Sequence, residues 1–293
     1  MLLWRGVRRR SPPLTHQYAD YAHWQRQWLH GDRLQQLVNY WKTELDNLPA
    51  EPMTFPFRLA EPKPGKMSLP YFDIELSKEL TAQLRKLNGQ AGTSTFMSLM
   101  AIFSAYVGRH AQATDILIAS PRTNRHQSQM ERVIGHFGNM NLFRYRVDFQ
   151  KSFRNLLSQA RATTLNGFHH SLLPAKVLEK IVKKDTSNWP QQLFINMNPP
   201  KEEPVAGGVR FLIDRLDIKR EFDIQEVTYH YFSWFPVEAG GQIGGSLQYN
   251  SMWFESPVIE QFVRGFIEFV DQLVRAPDAP IADIKLAEII VEK

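Results

Sequence analysis

The nine histidines of the chain are the residues best suited to proton transfer, because an imidazole titrates near neutral pH. His169 and His170 are adjacent, and such a pair could act as a general base in an acyl transfer. No histidine has the His-x-x-x-His or Glu-x-x-His spacing of metal ligands, so the sequence predicts no metal site. With no cysteine in the chain, thiolate catalysis, disulfides and zinc–cysteine sites are excluded.

A second candidate site lies in residues 133–144, where a helix end, a glycine turn and a strand follow one another. Gly135 and Gly138 permit a sharp turn. Asn139 could turn its amide inward, and Arg144 could pair with a carboxylate across the sheet. The alternative is that these residues only fix a strand crossover. The chain has no Gly-x-Ser-x-Gly elbow, P-loop or Rossmann glycine pattern, which argues against serine hydrolases and nucleotide-binding enzymes.

Hydrophobic spacing predicts intermixed helices and strands, which is the pattern of one layered α/β domain. Apolar residues recur every three or four positions in runs that predict amphipathic helices, among them residues 18–29, 33–45, 77–88, 95–107, 153–167, 175–182 and 256–273. Apolar alternation or short apolar runs predict strands over residues 71–76, 116–119, 143–147, 193–197, 209–213, 223–224, 228–235 and 243–249. The expected architecture is a mixed sheet flanked by helices.

Short local signals predict where individual elements begin and end. Ser77 is expected to cap a helix that Asn88 and Gly89 end. Residues 120–122, with a central proline, are expected to end the strand that begins at residue 116. Ser256 is expected to cap the last helix, with Pro257 at its first helical position.

Charge and composition restrict the environment of the protein. Net charge is +5 over 293 residues, and residues 1–14 hold four arginines and a proline pair. Such a tail could bind nucleic acid or an acidic membrane surface, but we favour a solvated terminus because no other nucleic-acid signal follows. No stretch approaches the ~20 apolar residues of a membrane span. We therefore expect a soluble cytoplasmic protein without nucleic-acid or membrane partners.

Five stretches, in order, resemble the condensation domains of nonribosomal peptide synthetases. QYADYAHWQ (residues 17–25) is similar to the family's Tyr-x-Asp-Phe/Tyr-Ala-x-Trp, and IGHFGN (134–139) with Arg144 is similar to Ile-Gly-x-Phe-x-Asn…Arg. HHSLLPAK (169–176) is similar to His-Gln-x-Leu-Pro-Phe-Glu, although Ala175 and Lys176 replace the last two residues. Residues 184–187 are similar to Arg-Asp-x-Ser, and residues 245–254 to a late hairpin and helix start. The resemblance covers roughly residues 16–288.

The resemblance implies a single lobe of the chloramphenicol acetyltransferase-like fold over residues 15–290, after a tail over residues 1–14. In the family, two such lobes enclose a tunnel, and acyl transfer joins substrates carried on the phosphopantetheine arms of carrier proteins. We expect no directly bound cofactor. The four candidate channel residues, each with a purely structural alternative, are Tyr18, Asp20, Asn139 and Arg144.

The resemblance also implies that catalytic residues are missing. The family's catalytic His-His-x-x-x-Asp-Gly belongs to the N-terminal lobe, and His169 and His170 instead fall on the His-Gln-x-Leu-Pro stretch. We therefore interpret the pair as helix-end residues and assign no catalytic residue. The expectation is a truncated condensation domain that is inactive alone. The alternative is a binding module that docks a carrier protein or completes a separately encoded N-terminal lobe.

Overall fold

The structure is a computed structural model, and it describes most of the chain. The described residues are 14–49, 53–65, 68–125, 128–182, 193–197, 205–206, 209–210 and 231–291. The predicted tail over residues 1–14 and the Arg-Asp-x-Ser-like stretch at residues 184–187 lie outside them, except for Leu14. Within these ranges, none of the helices combines the length and the apolar character that a membrane span requires.

The described residues contain seven α-helices, and several of them have clear sequence signals at their ends. The helices are α1 Tyr18–Trp28, α2 Gly31–Glu44, α3 Lys78–Ala91, α4 Thr95–Ala111, α5 Phe153–His169, α6 Ala175–Val182 and α7 Ser256–Arg275. The Oγ atoms of Ser77 and Ser94 accept hydrogen bonds from the third residue of the helices they cap, as the sequence predicts for Ser77. Single 3₁₀ turns occupy Ser128–Met130 and Ile281–Asp283.

Two of the predicted helix boundaries are wrong by a few residues. α3 continues through Asn88 and Gly89 to Ala91, and Gly92 ends it with a left-handed φ of 63°. The left-handed conformation costs glycine little, so Gly92 is the better stop signal. α7 is capped by Glu255 rather than Ser256, because Ser256 already has helical geometry.

The strands form one mixed sheet and a separate two-stranded ribbon. The strands are β1 Tyr71–Glu75, β2 Asp115–Thr123, β3 Gly138–Arg146, β4 Leu193–Ile195, β5 Val205–Ala206, β6 Val209–Arg210, β7 Phe232–Ala239 and β8 Gln242–Tyr249. The six-stranded sheet has the order β1-β8-β7-β4-β2-β3, and β5 pairs with β6 in the ribbon. β4 runs parallel to both β2 and β7, and the other pairs are antiparallel.

The structure extends β2 beyond its predicted end. Residues 120–122 do not stop the strand, because Pro121 lies opposite Met140 and the pairing with β3 continues to Thr123. Proline has no N–H, so it is tolerated where the strand does not need that donor for its ladder. Predicted strands at residues 223–224 and at 228–230 lie outside the described residues.

The sheet is covered on both faces, which confirms the predicted α/β architecture. Alternate residues of β2 point to opposite sides: Ile116 and Ile118 join the large core, and Ala119 joins a smaller core. The large core contains α4, whose residues 97–108 are all buried, and the aromatic face of α7. The smaller core holds α2 and α6 against β2 and β3 through residues that include Leu37, Trp41, Leu142, Leu173 and Leu178.

Candidate functional site at the start of strand β3

Three stretches that are distant in the sequence meet where β3 begins. They are α1, the loop over residues 128–137 that leads into β3, and the segment over residues 169–175 that joins α5 to α6. Side chains that the sequence analysis selected make several of the contacts, and each is bonded to backbone atoms. The site is therefore a cluster of irregular backbone held together by polar side chains, as expected where no regular ladder satisfies peptide groups.

Tyr18 packs α1 against the glycine turn. Its hydroxyl donates a 2.8 Å hydrogen bond to the carbonyl oxygen of His136. Its ring meets the ring of Phe137 edge-on, with centroids 5.2 Å apart. A Cβ at Gly135 would collide with the Tyr18 ring, so this close approach requires glycine. Tyr18 nevertheless stays 37% exposed.

Asp20 stabilises the first turn of α1 in the structure. Its carboxylate accepts a 2.7 Å hydrogen bond from the backbone N–H of Gln17, the residue before the helix. An acidic side chain in the first turn also interacts favourably with the helix dipole. Asp20 is exposed, so this structural role leaves the carboxylate accessible.

Asn139 joins β3 to the segment that follows α5. Its amide nitrogen donates to the carbonyl oxygens of Ser171 at 2.8 Å and Leu173 at 2.6 Å. Its amide oxygen accepts from the backbone N–H of Ala175 at 3.0 Å, at the first residue of α6. The amide is thus turned inward and uses both its donor and acceptor sides on one loop.

Arg144 is buried, and its guanidinium bonds to other groups of the protein. It forms a bidentate pair with Asp115 on the neighbouring strand, with Nε to Oδ1 at 2.8 Å and Nη2 to Oδ2 at 2.6 Å. It also donates to the carbonyl oxygens of Glu44, Asp46 and Asn47 at the end of α2, at 2.6–2.9 Å. The hydrogen bond with Asp115 is the largest of the effects that raise the pKa of Arg144. The expected pairing with a carboxylate across the sheet is present.

Two further arginines hold the backbone around the start of β3. The sequence analysis did not select them. The Arg125 guanidinium lies 4.2 Å above the Phe137 ring and donates to the carbonyl oxygens of Met130 and Val133 in the loop before β3. Arg122 lies 4.1 Å above the Phe168 ring and donates to the Phe168 carbonyl oxygen at 3.1 Å. Burial lowers the pKa of Arg122. No spacing rule identifies such residues, because their partners are carbonyl groups of an irregular loop.

His169 and His170 end α5, as interpreted from the sequence. His169 is the last helical residue and His170 is the C-cap. The His170 ring stacks on Tyr40 at a centroid distance of 3.6 Å, and its Nδ1 is 2.8 Å from the carbonyl oxygen of Asn166. Its own carbonyl accepts a hydrogen bond from Trp41 Nε1 at 3.0 Å. His170 therefore helps to dock α2. Burial raises the pKa of Tyr40 to about 12, which keeps that phenol protonated.

No group of three or more histidine, cysteine or acidic side chains in the described part of the chain could hold a metal ion. The predicted absence of a metal site and of a directly bound cofactor stays a prediction from the sequence. Lining of a substrate channel by Tyr18, Asp20, Asn139 and Arg144 likewise stays a prediction.

Comparison with known proteins identifies the family to which this chain belongs. The family model described as "Condensation domain" matches residues 3–289. The chain therefore belongs to the condensation-domain family. Solved structures agree on the fold: an X-domain from teicoplanin biosynthesis, solved with OxyB, has a TM-score of 0.76 at 18% identity over 97% of this chain. The first condensation domain of the calcium-dependent antibiotic synthetase has a TM-score of 0.70 at 17% identity over 94% of this chain.

The curated relatives are much longer proteins. One of the linear gramicidin synthase subunits from Brevibacillus parabrevis is 30% identical over 304 residues, which is 98% of this chain and 6% of that protein. One of the plipastatin synthase subunits from Bacillus subtilis (strain 168) is 27% identical, over 95% of this chain and 11% of that protein. The chain thus spans a small part of these relatives. It covers 62% and 59% of the two solved chains.

Proposed function

We propose that this chain forms one lobe of a condensation unit of nonribosomal peptide synthesis. The complete unit would form an amide between substrates held on two carrier proteins. The observation that carries this proposal is the family match over residues 3–289. The cluster at the start of β3 supports it, since three of the five stretches that resemble family motifs contact one another there. We expect the unit to work in the cytoplasm, without nucleic-acid or membrane partners.

The proposed reaction moves an acyl group from sulfur to nitrogen. The amine of the acceptor substrate attacks the thioester carbonyl carbon of the donor, so a C–N bond forms and the C–S bond breaks. The sulfur leaves on the phosphopantetheine arm of the donor carrier protein and receives the proton that the amine loses. A positioned base and donors that face the oxyanion would accelerate this step. The arms belong to the carrier proteins, so this lobe needs no bound cofactor.

We infer that this chain is inactive in amide formation without a second lobe. The 293 residues contain no His-His-x-x-x-Asp-Gly. Their one adjacent histidine pair is followed by Ser171 and Leu172, and the His170 ring is stacked on Tyr40. His170 thus has a structural contact at the end of α5. The proton-handling histidine would then belong to an N-terminal lobe.

We propose two kinds of contribution from the four candidate channel residues. Tyr18 and Asp20 are exposed and could contact a substrate arm directly. Asn139 and Arg144 are bonded to backbone groups on their inner sides and would act as positioning residues behind the channel wall. The exposed part of the wall would then be the surface of α1 and the turn over residues 134–138.

An amide-formation assay tests this function. The chain is mixed with a donor carrier protein bearing an aminoacyl thioester and an acceptor carrier protein bearing an amine, and the product is measured by mass spectrometry. We expect no amide above background from the chain alone. We expect product when the N-terminal lobe of a related condensation domain is added. Product from the chain alone that disappears in His170→Ala would instead identify a free-standing acyltransferase. The matched control is His23→Ala, an exposed histidine on α1.

A binding module is the second candidate function, and the exposed apolar surface near the cluster favours it. Ile134 is 92% exposed and precedes Gly135, which packs on the half-exposed Tyr18. Such a patch can mark an interaction surface. A pull-down with carrier proteins and with a separate N-terminal lobe tests this. We expect Ile134→Asp to weaken capture, and Ile290→Asp, a change at an exposed apolar residue near the C-terminus, to leave it unchanged. Capture that is insensitive to Ile134→Asp would exclude this surface.

A further inference from the structure

Helix α1 is attached to the rest of the protein through a small apolar cluster of its own. Of its 11 residues, Tyr21 is the one that is buried. Tyr21 packs with Met130, Val133 and Phe137 from the loop before β3, and the partly buried Trp24 packs against this group. The cluster is separate from the two larger apolar cores. The first two turns of α1 therefore rest on a cluster of four buried side chains.

Helix α2, which follows directly, is fixed more firmly. Its buried residues Leu37 and Trp41 belong to the smaller core. Nε1 of Trp41 donates a 3.0 Å hydrogen bond to the carbonyl oxygen of His170, and Arg144 donates to three carbonyl groups at the end of the helix. The comparable bond of α1 is the 2.8 Å hydrogen bond from the Tyr18 hydroxyl to the loop before β3. Fewer contacts must break to release α1, so it should open more often than α2.

The junction between the two helices has the backbone of a hinge. Leu29 has φ −84° and ψ 62°, and His30 is extended, with φ −137° and ψ 153°. Gly31 has a left-handed φ of 58°, and apart from its own helix and chain neighbours nothing lies within 4 Å of the position that a Cβ would take there. Glycine changes backbone conformation at low cost, and residues at the ends of elements absorb hinge motions. Trp28 and Leu29 pack against the smaller core, so this end of α1 stays anchored.

We propose that α1 is a lid, hinged at residues 29–31, that opens away from the loop before β3. The structure shows the closed form, in which the Tyr18 ring lies against Gly135 and α1 covers Val133 and Phe137. In the open form these two apolar side chains become accessible, and Tyr18 leaves the wall of the proposed channel. The lid would then admit a phosphopantetheine arm from the side. This purpose rests on the proposed function, whereas the hinge motion does not.

The absence of cysteine from the sequence allows a direct test of the motion. Val133 is 2% exposed, so a single cysteine in the variant Val133→Cys meets a thiol reagent when the lid opens. Leu142→Cys is the matched control, because Leu142 is also 2% exposed but lies in the smaller core. Relative to each variant unfolded in urea, we expect the thiol at residue 133 to react at least about tenfold faster than the thiol at residue 142. Met130→Cys provides a second position in the same cluster, and near-UV circular dichroism verifies that each variant is folded.

Substitution at the hinge separates motion of the lid from motion of the loop alone. Alanine at Gly31 is strained at a φ of 58° in the closed form, and opening at the hinge relieves that strain. Gly31→Ala should therefore raise the reactivity of the thiol at residue 133 about tenfold. Gly92→Ala is the matched control, because Gly92 has a similar φ of 63° at the end of α3 and should leave that reactivity unchanged. Equal reactivity at residues 133 and 142 would overturn the proposal, and so would the absence of a response to Gly31→Ala.

A disulfide lock tests the purpose of the lid. A Cβ at Gly135 would lie 3.1 Å from the Cβ of Tyr18, slightly closer than the roughly 3.5–4.5 Å of disulfides, so Tyr18→Cys with Gly135→Cys should form one after a small shift. In the amide-formation assay with an added N-terminal lobe, we expect the oxidised double variant to form product at least about fivefold more slowly than the same variant reduced. Equal rates would overturn the gating role. If the wild-type chain with the added lobe forms no product, the proposed function fails instead, and thiol reactivity at residue 133 still decides the lid motion.

Discussion

The cluster at the start of β3 and the core between α4 and α7 are held together by different forces. In the cluster, Asn139 and Arg125 each bond to two or more backbone carbonyls, and Arg144 does the same near the other end of β3. In the core, rings such as Phe103 and Phe266 pack on one another with almost no exposure. The core therefore depends on apolar burial and the cluster on charged or amide hydrogen bonds.

This difference shows that a residue of a family motif can have a purely structural role. Regular helices and strands satisfy their own peptide groups, so the core can be made of apolar side chains. The loops at β3 have no such ladder, and long polar side chains supply the missing donors. A residue such as Asn139 can thus be a motif residue because it fixes backbone, with no part in the chemistry itself. Each prediction below tests one side of this contrast.

The largest expected effect is in the core. Phe266 is 2% exposed and packs against Phe103, Tyr106 and Trp234. Phe266→Ala should lower the free energy of unfolding by about 4 kcal/mol because it loses apolar burial and leaves a cavity. Urea denaturation measures this decrease in the free energy of unfolding. Phe266→Leu is the control and should cost about 1 kcal/mol; equal losses from both changes would mean that packing is not the cause.

Among the polar side chains that hold irregular backbone, Arg144→Ala should be the most costly change, at about 3 kcal/mol. Its side chain is 3% exposed, and removal leaves Asp115 and the carbonyls that end α2 without their donors. The matched control is Arg146→Ala, an exposed arginine on the same strand, which should change the urea midpoint little. Similar losses for the two variants would contradict a specific role for the Arg144 bonds.

Acid should destabilise the protein partly through His110. Its folded pKa of about 4 lies below the ordinary 6.5, so the unfolded chain binds the proton first as pH falls. The contribution of neutral His110 to stability is fully present above pH 6.5. As the pH falls from 6.5 to 4, the free energy of unfolding decreases by about 2 to 3 kcal/mol. Urea titrations over this range measure the decline. His110→Phe should remove this part of the slope; an unchanged slope would show that His110 titrates normally.

Much of the fold is predictable from the sequence. The periodic runs correctly indicate α4, α5 and α7, because long amphipathic or apolar helices leave a repeated pattern. The predicted end of β2 is wrong because a proline is usually a strand stop, whereas the position of Pro121 in the pairing with β3 tolerates it. Local sequence does not reveal which neighbouring strand a proline faces.

The candidate site is only partly predictable. The resemblance to a family selects Tyr18 and Asn139, which meet partners in the cluster, and Arg144, which meets Asp115 and the end of α2 near the other end of β3. It does not select Arg122 and Arg125, because an arginine that bonds to loop carbonyls has no periodic signature. The hydrogen bonds that Gln261 and Gln272 make to backbone groups of Ile290 and Lys285 escape prediction for the same reason. Their partners lie 29 and 13 residues away along the chain, and only the tertiary fold brings them together.

The central claim is that Asn139 and Arg144 act by fixing backbone, and Asn139 tests it most directly. Asn139→Ala should lower the free energy of unfolding by roughly 1 to 2 kcal/mol. This loss is smaller than the one expected for Arg144→Ala because the Asn139 side chain is neutral and half-buried. The decisive measurement is native-state hydrogen exchange at the Ala175 amide, which donates to Asn139 Oδ1. We predict that Asn139→Ala speeds exchange there at least about tenfold relative to amides of α7. Unchanged protection at Ala175 in the folded variant would contradict the account.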